Sequence, residues 1–94
     1  MITINKIKGT IKEMAAKYPI KKVSLFGSYA DDTATNDSDV DLLVEFSSSA
    51  ISLFTLYDIK SEIEDRLNKK VDLIHAPIEG DLLIIEKVVD IYER

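Results

Sequence analysis

Residues 23–46 read Val23-Ser24-Leu25-Phe26-Gly27-Ser28-Tyr29-Ala30-Asp31-Asp32-Thr33-Ala34-Thr35-Asn36-Asp37-Ser38-Asp39-Val40-Asp41-Leu42-Leu43-Val44-Glu45-Phe46. Two apolar runs, Val23–Phe26 and Val40–Phe46, read as strands, and a long polar connection joins them. The first run ends on Gly27-Ser28, a turn in which glycine lets the backbone approach a ligand and serine adds a hydroxyl, a pairing suited to phosphate oxygens. The second run opens on Ser38-Asp39-Val40-Asp41. Strand side chains alternate between faces, so Asp39 and Asp41 project to the same side. Two carboxylates beside a phosphate-gripping turn are what a divalent cation and a nucleoside triphosphate require.

Outward from this stretch, Ile4, Ile7, Ile11, Met14, Ala15 and Tyr18 recur at helical spacing, with Thr3 placed to cap the helix and Pro19 to end it. Ser47-Ser48-Ser49 reads as a linker. Leu53, Leu56, Ile59, Ile63 and Leu67 form a second helical stripe that ends near Asn68. Lys70–Ile74 is expected as a third strand. In the tail, one continuous helix fits Leu82, Ile85, Val89 and Tyr92. Helices and strands alternate, so an α/β two-layer domain (1–94, single) is expected.

Parity places the acids. Val40, Leu42, Val44 and Phe46 point one way and Asp41 the other, while Val71 and Leu73 leave Asp72 opposed to them. If the apolar faces share one core, Asp39, Asp41 and Asp72 lie on one side of the sheet.

Gly27, Ser28, Ala30, Ser38, Asp39 and Asp41, followed by Leu42-Leu43-Val44 and later by Asp72 in Lys70-Val71-Asp72-Leu73-Ile74, resemble the signature of the DNA polymerase β nucleotidyltransferase superfamily. The short chain is similar to its minimal nucleotidyltransferase (MNT) branch. That resemblance implies a small mixed sheet with helices packed on one face, and a tail that is helical to about Lys87 and then a short strand through Tyr92. It implies ATP as substrate, two Mg²⁺ ions held by Asp39, Asp41 and Asp72 as metal-binding and catalytic residues, and nucleotide binding by Gly27, Ser28 and Ser38. With no length left for an acceptor domain, the acceptor is expected to be another protein. Stand-alone MNT domains resemble antitoxins that transfer AMP to a tyrosine of a HEPN-domain toxin. One departure stands out: Asp31-Asp32 occupies the place where the family usually has Arg-Gly. It implies an altered loop, and it is the feature favouring the alternative of a noncatalytic antitoxin that acts by binding alone. A nucleotidyltransferase acting on a small molecule or an RNA end is the third option.

Composition bounds the rest. Twelve basic against 17 acidic residues leave a formal charge of −5 over 94 residues, which argues against nonspecific nucleic-acid binding. Lys21-Lys22 and Lys69-Lys70 read as solvated charge flanking strands. The absence of cysteine excludes disulfides and thiolate metal sites. No apolar stretch approaches a membrane span and no signal-peptide pattern opens the chain, so a cytoplasmic protein is expected. Asp37-Ser38-Asp39-Val40-Asp41 imitates an EF-hand, but Leu42 and Ser48 stand where that loop needs glycine and glutamate. A sugar-nucleotide glycosyltransferase also uses Asp-x-Asp, but in a longer fold. A hydrolytic triad on Ser28 finds no support with one histidine, His75, expected at the surface. Tyr29 could stack or pack. Asp37 reads as a loop or capping residue, and Ser38 could hold its own loop.

Overall fold

The computed structural model describes residues 2–48, 51–76 and 88–94. Helix α1 spans Ile4–Lys17, and the Thr3 hydroxyl accepts from the Lys6 N–H at 3.1 Å, as an N-cap should. Tyr18 is extended (φ −124°, ψ 155°), the conformation a following proline imposes. Strand β1 then runs Ile20–Phe26, starting earlier than the expected Val23. The reason is that Ile20 is fully buried and pairs with Phe46, while a register irregularity between Ile20 and Lys22 lets both lysines reach outward. Lys21 lies 3.7 Å from Glu45 and Lys22 3.5 Å from Asp90.

Strand β2 is Val40–Phe46, as expected. Helix α2, Leu53–Leu67, is capped by Ser52, whose hydroxyl accepts from the Thr55 N–H at 3.2 Å. It ends on Asn68 in the left-handed region (φ 54°, ψ 43°). Strand β3, Val71–Ala76, is tied to this helix by the Glu64 carboxylate, which accepts from the Val71 N–H at 2.9 Å. Strand β4 is Val89–Glu93, matching the short terminal strand implied for the tail; the helix expected before it falls outside the described residues.

The four strands form one mixed sheet in the order β3-β2-β1-β4. β1 runs antiparallel to both β2 and β4, and β2 runs parallel to β3. Val40, Leu42, Val44 and Phe46 are all buried on one face, against Ile7, Ile11 and Met14 of α1 and Ile59, Ile63 and Leu67 of α2. Arg66 of α2 pairs with Glu13 of α1, and Lys17 meets Glu62 at 2.8 Å. The α2 stripe is shorter than its spacing suggests. Ile59, Ile63 and Leu67 are buried, whereas Leu53 at its start is 82% exposed. Among the described residues no helix is long and apolar enough to cross a membrane.

These burials make an unequal pair of truncations from one apparent stripe. Ile63→Ala should cost about 2–5 kcal/mol by urea unfolding, because it empties a closed core site. Leu53→Ala should stay within about 0.5 kcal/mol of wild type. Similar costs for the two would mean that the first turn of α2 is packed.

Candidate active site

The face of the sheet opposite the helices carries the acids, and strand register brings them together. Asp41 and Asp72 are directly paired across the parallel β2–β3 ladder. Asp41 is half-buried, while Asp72 and Asp39 are exposed. Because β3 is an edge strand, Asp72 is not enclosed in the sheet as its apolar neighbours suggest; its partner is Asp41 beside it. Burial first, then the charge of Asp72, a hydrogen bond with Asp72 and the charge of Asp39 push the Asp41 carboxyl up from 3.8 to about 6. Among the described residues, no group of three His, Cys, Asp or Glu side chains forms a ready-made metal cage. The close pair is Asp41 with Asp72, and Asp39 reaches it through its charge. Such hard oxygen donors, crowded enough to resist ionisation, are the donor set that a Mg²⁺-like cation relieves.

The glycine turn packs on the same carboxylate. Phe26 at the end of β1 pairs with Asp41, so the chain leaving β1 starts beside it. Gly27 has φ +72°, and a Cβ there would run into the Asp41 carboxylate. Only glycine meets both conditions. A single 3-10 turn, Gly27–Tyr29, follows, with the Gly27 carbonyl accepting from the N–H groups of Ala30 (3.0 Å) and Asp31 (3.1 Å). Ser28 stands half-exposed on this turn, and its hydroxyl has no hydrogen-bond partner among the described residues. Tyr29 packs: it is 6% exposed, and its buried hydroxyl has no hydrogen-bond partner among the described residues.

The loop between turn and β2 is held by its own polar groups. The Ser38 hydroxyl accepts from the Thr35 N–H at 2.8 Å, and the Ser38 N–H donates to the Thr35 carbonyl at 3.1 Å. Ser38 therefore closes the loop that presents Asp39. Asp37 takes a loop role as expected, its N–H donating to the Thr35 hydroxyl at 3.3 Å. Lys69, read from sequence as solvated charge, donates from Nζ to the Asn36 carbonyl at 2.6 Å, and the neighbouring Lys70 carbonyl accepts from the Val40 N–H at 3.0 Å. Both fasten the loop to the start of β3. No local pattern marks a lysine for a carbonyl 33 residues earlier in the chain.

The unusual Asp31-Asp32 pair is also engaged in the loop. The Asp31 carboxylate accepts from the Thr33 N–H at 3.2 Å and from its hydroxyl. Asp32 sits at φ +65°, in the left-handed region that aspartate tolerates better than most residues. It lines an open hollow of about 260 Å³ with Ile2–Ile4, Tyr29 and Ala34, at the start of α1. Further along the acidic face, the Ser24 hydroxyl donates to Asp90 at 2.7 Å, and this bond, with Lys22 nearby, holds Asp90 below the usual carboxylate range. His75 packs edge-on against Phe46, with ring centroids 5.1 Å apart.

Comparison with known proteins gives the family and the fold. Residues 9–94 match the family described as polymerase beta, nucleotidyltransferase. A protein of Methanocaldococcus jannaschii, provisionally named as a protein adenylyltransferase, is 41% identical over 93 residues, which is 96% of this chain and 99% of that protein. The protein adenylyltransferase MntA of Thermococcus cleftensis is 32% identical over 78 residues, 79% of this chain and 78% of that protein. A crystal structure of a toxin–antitoxin with AMP-PNP shares the fold with a TM-score of 0.77 at 17% identity, over 93% of this chain and 73% of that chain. So does a complex of tri-AMPylated Shewanella oneidensis HEPN toxin with MNT antitoxin, at a TM-score of 0.66 and 17% identity, over 97% and 70% of the two chains.

The crowding at Asp41 has a consequence for the cation-free protein. Its folded-state pKa of about 6 lies above the ordinary 3.8, so folding favours the protonated form. That contribution is fully present below about pH 4 and is lost as pH rises through about 6. In EDTA, Asp41→Asn should melt at nearly the wild-type temperature at pH 4 and several degrees higher at pH 8. A difference independent of pH would mean that Asp41 is not crowded.

Proposed function

The chain belongs to the polymerase β nucleotidyltransferase family, and from that premise we propose that it transfers AMP from ATP to a tyrosine hydroxyl of a HEPN-type toxin encoded beside it, so acting as the antitoxin. The observation that carries this reading is the registered pair Asp41–Asp72, with Asp39 on the same side and Gly27 packed on Asp41. The names of the relatives support protein adenylylation, and the neighbouring structures support a toxin–antitoxin setting.

The chemistry asked of the residues is limited. The acceptor oxygen attacks the α-phosphorus, the α–β phosphoanhydride bond breaks, and pyrophosphate leaves with the bonding electron pair. Asp39 and Asp41 are assigned to hold two Mg²⁺ ions, and Asp72 to complete the site facing the acceptor and accept its proton. When bound, the ions supply charge for the leaving pyrophosphate and a lowered pKa for the attacking hydroxyl. Gly27 and Ser28 would meet the triphosphate, with the Ser28 hydroxyl, which has no partner among the described residues, as donor. Ser38 serves the nucleotide by fixing the loop that carries Asp39.

A second reading, neutralisation by binding alone, draws on Asp31-Asp32, whose two negative charges stand in a loop next to a site for an anionic substrate. The Thr33 contacts of Asp31 and the placement of Asp32 at the start of α1 weigh against those charges meeting the nucleotide.

Labelled ATP separates the two readings. Asp39→Asn or Asp41→Asn should lower AMP transfer to the partner about a hundredfold or more with the fold intact. Wild-type rates in either variant, with Mg²⁺ as the only metal, would refute the assignment. Asp72→Ala should remove transfer yet retain most nucleotide affinity by calorimetric titration. A wild type that never labels its partner but still neutralises it would establish the second reading.

A further inference from the structure

Helix α2 has a second apolar surface, turned away from the described core. Leu53, Phe54 and Tyr57, in its first turns, are 82%, 84% and 68% exposed. At about 100° per residue, Phe54 and Tyr57 lie on the side of the helix opposite Ile59, Ile63 and Leu67. No adjustment of α2 on the sheet could bury both sets. Three side chains exposed to this degree leave on the order of 400–500 Å² of largely apolar surface, the size of the largest patch on a typical monomer, which is often functional. The same side of the helix continues through the exposed Asp58 and Asp65, with the half-buried Ser61 between them. Asp58 and Asp65 are exposed and make no ion pair among the described residues, unlike Glu62 on the α1-facing side of the helix.

We propose that this turn of α2 is the docking surface for the acceptor protein, and that the partner meets it with an apolar cleft bordered by basic side chains. Charge selects the occupant. A second copy packed here would bring together two chains of formal charge −5, each carrying the ion-pair-free Asp58 and Asp65 beside the patch. A cationic partner gains from the same acids. The patch would be the anchoring part of an interface of standard size, about 800 Å² on each side.

The surface is remote from the acids. α2 follows the Phe46 end of β2, and Asp41 lies five residues back along that strand, about 17 Å at about 3.3 Å per residue. One part of the partner therefore anchors on α2, and a separate segment delivers the acceptor hydroxyl to Asp72. Docking then governs acceptor affinity and leaves turnover at saturation unchanged. This inference rests on the proposed function for the identity of the partner, though not for the existence of the surface.

The test uses the double variant Phe54→Ser with Tyr57→Ser, and separately Asp58→Lys with Asp65→Lys, against the purified HEPN-type protein encoded beside this chain. Both variants should keep the wild-type circular dichroism and ATP affinity. Each should weaken binding about tenfold or more and raise the KM for the acceptor with kcat little changed. The charge variant should also flatten the salt dependence of binding. Unchanged partner affinity in the aromatic variant, with transfer intact, would overturn the docking surface and leave the proposed function standing. Patch-dependent binding without AMP transfer would do the reverse, and a wild type that binds no such protein would overturn both. A dimer of the wild-type chain that the aromatic variant dissolves would assign the surface to a second copy.

Discussion

The parallel register of β2 against β3 is the constraint on which the candidate site depends. It sets Asp41 beside Asp72, where two carboxylates repel and one of them resists ionisation. A protein gains nothing in stability from that arrangement, and the metal-free fold is weaker for it near neutral pH. The cost is tolerable because the other face of the same strand is fully committed to the core, with Val40, Leu42 and Val44 at 1% exposure or less. A one-residue slip of β2 would expose those three side chains and bury Asp41. Hydrophobic burial therefore enforces the electrostatic strain, and a bound cation is what would release it.

The rest of the site is arranged around that pair. Gly27 is fixed by the Asp41 carboxylate as firmly as by its own positive φ, so turn and acid are one unit. The loop that follows lacks regular structure but not organisation. Ser38 and Thr35 close it, Asp31 and Thr33 shape its beginning, and Lys69 clamps its middle to the strand that carries Asp72. Restraints of this kind hold Asp39 near its fellow acids at the start of β2.

Much of this was legible in the sequence, because it depended on strict periodicities. Alternation along Val40–Phe46 placed Asp41 on the face away from the core, and the capping roles of Thr3 and Asn68 and the stop at Pro19 follow from local backbone chemistry. What escaped was nonlocal. The extension of β1 back to Ile20 depends on a pairing with Phe46 and an irregularity that accommodates two lysines. The edge position of β3 follows from strand order, which no single segment encodes. Leu53 fits the helical period of Ile59 and Ile63 yet lies outside the core, and Lys69 looks like any surface lysine until the loop is folded over it.

The function proposed above requires Asp39, Asp41 and Asp72 together to hold a divalent cation with nucleotide. Paramagnetic relaxation by Mn²⁺ tests it most directly. In wild-type protein with a nonhydrolysable ATP analogue, substoichiometric Mn²⁺ should broaden the backbone amide signals of Gly27, Ser28, residues 39–41 and residues 71–73 well before those of α1 and α2. Broadening centred elsewhere, or none at these positions with nucleotide saturating, would contradict the account.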